Sequence, residues 1–289
     1  MSHSRIGPAT IRRHCSPAAP ALLSCLIVSI AAGCVAVPLE EAHTLASYDG
    51  LTSNNGKITK AKFKVDPNDL ATAKTIYIEP ATVSPNAAPS IKKPSDQALV
   101  ANVISRALCV GVSDRFQVVD RRENADVVVH ATVTRIVPTN AAMAGVSTAT
   151  SLVSPVPVPR LPMGLGGLAV EAEATTRDGK QVGAMVWAKS ANAITTSARV
   201  SQVGDAYSLA SSFGSDFSKM LVTGKTPYKG LPKFPSAQKI KSSLGGRPKY
   251  PACERFGRSP GVKDFAASQV GLPPSWTDKR PTVVGQWSP

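Results

Sequence analysis

The stretch "LAVEAEATTRDGKQVGAMVWAKS", Leu168 to Ser190, decides the fold. Two runs of alternating residues flank Asp178-Gly179. A period of two marks a strand with one buried face. Asp-Gly between two such runs marks a hairpin, expected to close through a tight primed turn. On the first arm Val170, Ala172 and Ala174 point to one face, and Glu171 and Glu173 to the other. Paired carboxylates on one face are compatible with acid–base chemistry, but a solvated sheet face is the simpler expectation.

Upstream, "ADVVVHATVTRIV" (125–137) reads as a long strand. Val127, Val129, Ala131 and Val133 share one face; Val128, His130, Thr132 and Thr134 share the other. His130 is expected to be a sheet-face residue rather than a ligand or base. "KTIYIEP" (74–80) is a first strand and "FQVVD" (116–120) a second. Between them a helix is expected from a Ser95 cap to Val112, with Leu99, Val100, Val103, Ile104 and Ala107 on its apolar face. After the hairpin, Val203, Ala206, Ala210, Phe213, Phe217, Met220 and Leu221 keep helical spacing, and Gly224 suits a C-terminal cap. About five strands and two helices make an α+β fold, a mixed or antiparallel sheet covered by helices.

Two segments stand apart. Residues 138–167 carry one charge, Arg160, and end in "SPVPVPRLPMGLGG". Prolines at this density exclude a core strand, and a long connection of this kind is usually functional or disordered. It is expected to bury against the body, pair with another subunit or lie on lipid, with a short helix over Ala141–Leu152. Residues 225–289 are rich in Pro, Gly and Lys and are expected to be irregular. One short helix is expected in "GVKDFAASQVG" (261–271), with docking near Trp276 and Trp287.

"SCLIVSIAAGC" (24–34) gives the address. Arg5, Arg12 and Arg13 precede an apolar run, no acidic residue occurs before Glu40, and small residues follow. That order is a secretory signal peptide. The run falls short of the roughly 20 residues a spanning helix needs. Ala31-Ala32-Gly33-Cys34 resembles the lipobox of bacterial lipoproteins, although that family prefers Leu where Ala31 stands. The resemblance implies cleavage between Gly33 and Cys34, and acylation of Cys34 with fatty acids such as palmitate. Two or more chains anchor a protein stably. Val35 in place of Asp removes the family's inner-membrane retention signal, so the expected location is the outer membrane, facing the periplasm. The alternative is an ordinary signal peptide whose cleavage site happens to precede a cysteine.

Removing 33 of the 289 residues leaves 256, enough for one sizeable domain. The expected organisation is a signal peptide at 1–33, a spacer at 34–72 that begins to dock on the domain, an α+β core at 73–224 and a basic tail at 225–289. Charge is uneven. Residues 34–218 hold 17 Lys and Arg against 16 Asp and Glu, whereas 219–289 hold 13 against 3. For an exported protein such a tail points to peptidoglycan, an envelope protein or anionic lipid rather than nucleic acid, unless it is merely solvated. Cys15 and Cys25 would leave with the signal. Cys109 and Cys253 remain, in a compartment where disulfides persist. Cys109 lies off the apolar face of its helix, with Asn102, Ser105 and Arg106. A Cys109–Cys253 bridge is therefore expected, with two separate thiols as the alternative.

Catalytic patterns are weak. "GRSPG" (257–261) fits G-x-S-x-G, but no strand feeds Ser259 and no His follows. "GLGG" (164–167) leads into a strand rather than a helix, unlike a phosphate loop. No zinc or calcium spacing occurs. No catalytic residue, metal or cofactor is expected.

"LASYDGL" (45–51), "VDPNDLATAKTIYIEP" (65–80) and "GGLAVEAEATTRDGKQVGAMVWA" (166–188) together resemble an uncharacterised family of bacterial lipoproteins known as a domain of unknown function. The resemblance runs from about Thr44 to Thr223. It implies a lipoprotein in the envelope and no activity. A weaker similarity links "DRFQVVDRRENADVVVHATVTRI" (114–136) to periplasmic domains of curli-secretion lipoproteins and of lipoprotein activators of peptidoglycan synthases. The expected function is a lipid-anchored, non-catalytic binding or scaffold protein. The alternatives are a subunit of an envelope export or cell-wall assembly, joined through 138–167, and a periplasmic enzyme built around His130, Glu171 and Glu173.

Overall fold

The computed structural model describes residues 36–56, 59–153, 160, 163–229 and 235–279. The expected signal peptide, Gly33, Cys34 and Trp287 lie outside these residues. The strands are β1 (Thr52–Asn55), β2 (Thr59–Val65), β3 (Thr75–Ile78), β4 (Thr82–Val83), β5 (Gln117–Val118), β6 (Val127–Val137), β7 (Gly167–Thr176) and β8 (Gln181–Ser190). The helices are α1 (Pro67–Thr72), α2 (Pro94–Val112), α3 (Ala141–Val153), α4 (Gly204–Thr223), α5 (Ala237–Ser243), α6 (Val262–Gln269) and α7 (Pro274–Thr277). Among the described residues no helix is long and apolar enough to cross a membrane.

The class is α+β, but the sheet has eight strands rather than about five, in the order β1-β2-β8-β7-β6-β3-β5. From β1 to β6 the pairing is antiparallel. β3 runs parallel to both β6 and β5. β4 also pairs parallel with β6, further along the same edge, so Pro80 falls between two short strands.

The two additional N-terminal strands lie inside 34–72, so much of the expected spacer is part of the sheet. β2 pairs with β8 over Thr59–Val65. Ala61, Phe63 and Val65 join the core, while Lys60, Lys62 and Lys64 alternate with them. The hairpin forms where expected with a different turn. Arg177-Asp178-Gly179 makes a three-residue loop, in which Thr176 and Lys180 are bonded and only Gly179 has positive φ, 85°. A primed turn would need Asp178 there too.

α2 and α4 lie side by side on one sheet face. Gly111 and Gly214 permit the approach: a Cβ at Gly214 would sit 2.4 Å from that of Ala107. α2 starts at Pro94 with Lys93 as its N-cap, so Ser95 lies in the first turn instead of capping it. α4 ends as expected, with Gly224 left-handed and its amide bonded to the Met220 carbonyl. Trp187 of β8 meets Phe213 edge-on at 5.6 Å, and Phe213 stacks on Phe217 at 5.9 Å. These aromatics fill the space between sheet and helices.

The tail is more ordered than expected. α5 and a 3-10 turn at Pro251–Phe256 pack over the outer side of α2, and α6 packs against α7. Cys253 is bridged to Cys109. Asn102 Nδ2 donates to the Phe256 carbonyl at 2.8 Å. Arg255 donates to the Ile78 carbonyl and stacks on Tyr77 at 4.7 Å. Trp276 does not dock, being 74% exposed; Pro274, Thr277 and the Asp278 side chain are the buried groups there.

Candidate functional site

The second face of the sheet bears His130, Thr132, Glu171 and Glu173, and it is partly covered, most completely at Glu171. Residues 36–51 cross it as a strap. Val37 packs with Ala169 and Ala188, and Leu45 with Ala184 and Val186. Glu40 pairs with Arg135 of β6 and Glu41 with Lys62 of β2, so ion pairs hold both sides.

Glu171 is the centre of this attachment, with 1% exposure. Its Oε1 accepts the Ala42 amide at 2.7 Å. Its Oε2 accepts the Thr44 amide at 3.0 Å, the Thr44 hydroxyl at 2.5 Å and the Tyr48 hydroxyl at 2.6 Å. Four donors thus converge on one carboxylate, three of them on Oε2. Between the donors His43 is left-handed (φ 59°), which turns both flanking amides towards one carboxylate. Burial, and next the bond to Glu171, pushes the Tyr48 hydroxyl up to about 12. Glu173 accepts the Ala46 amide at 2.9 Å and the Gln181 side chain at 2.7 Å.

His130 is half-buried on the adjoining strand. Its Nδ1 lies 3.1 Å from Glu79 Oε2 and its Nε2 lies 3.1 Å from Thr132 Oγ1. Hydroxyl, imidazole and carboxylate thus stand in the order of a nucleophile, base and orienting acid. Thr132 is 5% exposed and its hydroxyl is shared with Thr82 at 3.2 Å. Glu79 also pairs with Arg122 at 2.6 Å. Two cavities lie elsewhere. One, of about 310 Å³, is bordered by Asp69, Asp126 and Asp178. The other, of about 340 Å³, lies between the helix pair and the tail. Among the described residues no three His, Cys, Asp or Glu gather to hold a metal.

Where the strap meets Val37, the uncharged segment begins and ends. The Val37 amide bonds Ser190 Oγ at 2.9 Å, and its side chain fills the space beside Gly167. α3 covers the whole of the expected short helix and continues one residue to Val153. Arg160, the lone charge, is buried and grips Asp205 at the start of α4 through two bonds of 2.5 and 3.2 Å. Asp205 also accepts the Gly166 amide at 2.7 Å. Sequence reasoning missed this pair, although one arginine in thirty uncharged positions was its signal. Residues leaving the same end of the sheet stay exposed, including Met163, Val146 and Ile194, the last at 87%.

The model of a family described as a protein of unknown function, DUF3313, matches residues 40–217. A search of curated proteins gives no match. Among solved structures the chain is similar to a PelC dodecamer subunit from Paraburkholderia phytofirmans, at 12% identity and a TM-score of 0.35, covering 57% of this chain and 97% of that one. It is also similar to a DUF4136 family protein from Bacteroides thetaiotaomicron, at 10% identity and a TM-score of 0.33, covering 59% of this chain and 100% of the other. With its family model spanning the strap, the sheet and most of α4, this chain belongs to the DUF3313 family.

Proposed function

We propose that this protein is a lipid-anchored envelope protein, held at the outer membrane through Cys34, with a non-catalytic binding domain facing the periplasm. The strap carries the reading. Val37 is seated on the sheet three residues after Cys34. Three residues span at most about 11 Å, so an acylated Cys34 would hold this end of the domain close to the bilayer. The 138–167 segment with its exposed Val146 and Met163, and Ile194 just after β8, belong to the same end. They suit a lipid surface, which does not solvate charge.

The polar groups on the strapped face support a non-catalytic role. Glu171 is held by four strap donors, and the Thr132 hydroxyl is covered. The surplus of lysine and arginine in the tail suits an anionic partner, such as peptidoglycan or lipid headgroups. Membrane fractionation of wild type beside Cys34→Ser tests the anchor. The wild type is expected in the membrane fraction even in high salt, which screens surface charge. The variant is expected in the soluble fraction. Equal membrane retention of both would contradict the reading.

A second reading, a subunit of an envelope assembly, is favoured by α3. It is uncharged and exposes Val146, with Val200 next to the neighbouring Gly145. A mass that rises with concentration and falls to that of a monomer in Val146→Glu would support it; a monomer at all concentrations would dismiss it.

A further inference from the structure

The cleft of about 340 Å³ between α2, α4 and the tail contains a charge the fold does not neutralise. Arg199 is 7% exposed, and its Nε and Nη1 are buried without an acceptor. Its guanidinium lies 4.8 Å over the Tyr207 ring, a contact that orients it and leaves Nε and Nη1 unsatisfied. The nearby carboxylate is already taken. Asp278 Oδ1 accepts from Arg106 Nη1 at 3.3 Å, and Oδ2 accepts from Arg106 Nη2 and the Tyr207 hydroxyl, both at 2.6 Å. Two guanidiniums therefore face one carboxylate. Lys239 borders the cleft and makes no ion pair among the described residues. The local balance is about two positive charges. Burial alone pulls the Arg199 guanidinium below its ordinary value.

A buried, unpaired charge is costly and calls for a partner outside the chain. The walls show what kind. Ser208, Ser211 and Ser215 face the cleft from one side of α4, and Ser243 and Ser259 face it from the tail. Hydroxyls beside a guanidinium are suited to an oxyanion with several acceptors. A phosphomonoester carries close to two negative charges at neutral pH, which matches the local balance; a carboxylate carries one. We propose that this cleft binds a phosphomonoester, with Arg199 as its anchor, Lys239 at its mouth and Ser211 and Ser215 of α4 as hydroxyl donors. Because the tail forms one wall, the site exists only while the tail is docked. The inference does not depend on lipid anchoring.

Calorimetric titration of the full-length protein with glycerol 3-phosphate at low salt tests the site, beside sedimentation with vesicles containing phosphatidic acid. Arg199→Gln is expected to weaken binding at least about tenfold. Ser211→Phe, a substitution at an exposed position, is expected to block the cleft while leaving Tm unchanged. Binding of glycerol 3-phosphate that both variants lose supports a soluble ligand. Binding of vesicles alone that both variants lose supports a lipid headgroup. Wild-type affinity in both variants, or no binding of either probe, overturns the proposal.

Discussion

A buried carboxylate needs donors, and Glu171 obtains four of them from the strap and none from its own sheet. Glu171→Ala should therefore cost about 3 kcal/mol, since bonds to a charged group contribute more than neutral ones. The strap should become the first site of proteolysis, a cut within 36–51 read by mass spectrometry; an unchanged digestion pattern would show that the apolar contacts of Val37 and Leu45 suffice. Asp205→Ala should cost more, about 3–5 kcal/mol in urea unfolding, because it strands the buried Arg160 guanidinium. Asp126 sets a pH dependence. The Thr75 and Lys74 amides each donate to its Oδ2 at 2.9 Å and hold its carboxyl below the ordinary 3.8. A lowered pKa in the folded state means the stabilisation is complete above the unfolded value and is lost as pH falls through the folded one. Asp126→Asn should flatten the loss of stability below about pH 4; an unaltered acid limb would refute this. The alternation around Glu171 located its face correctly. It could not show that the face was covered, because an irregular strap has no periodicity to read.

Among the elements, those with strong periodicity were legible. β6, β7, β8, α2 and α4 sit where their apolar spacing places them. β2 was passed over, although Ala61, Phe63 and Val65 alternate with lysines as a strand on one face of a core should. Its lysines resembled a polar spacer, and only pairing with β8 shows otherwise. The hairpin turn differs because Asp178 avoids positive φ and Gly179 alone adopts it. Gly179→Val should cost about 1–2 kcal/mol through backbone strain, measured as a lower urea midpoint, whereas Asp178→Ala should cost less. On α2 the side opposite the apolar face was readable as a docking side only through Cys109; the tail covers it. Closing a 144-residue separation, the bridge should contribute about 2–4 kcal/mol. Cys253→Ser should lower stability by that amount and expose Arg106 and the cleft. A variant with unchanged stability would mean the tail docks without the bond.

At the scale of the molecule the chain is layered: strap, sheet, helix pair, tail. Both outer layers are sequence-remote from what they cover. The strap reaches β7 across more than 120 positions, and Asp278 reaches Arg106 across 172. Such long-range cover leaves little local signature: the sequence points to docking of the spacer and, through Cys109 and Cys253, of the tail, but not to the residues each layer covers. The arrangement also gives the domain a direction. The end at Val37 and Gly167 meets the chain coming from Cys34, and the exposed apolar residues of 138–167 stand at that end. Lipid anchoring is the central claim, and intact mass of the protein purified from membranes tests it most directly. The account predicts a chain beginning at Cys34 with added acyl mass, absent in Cys34→Ser. An unmodified mature chain, or one retaining residues 1–33, would contradict it.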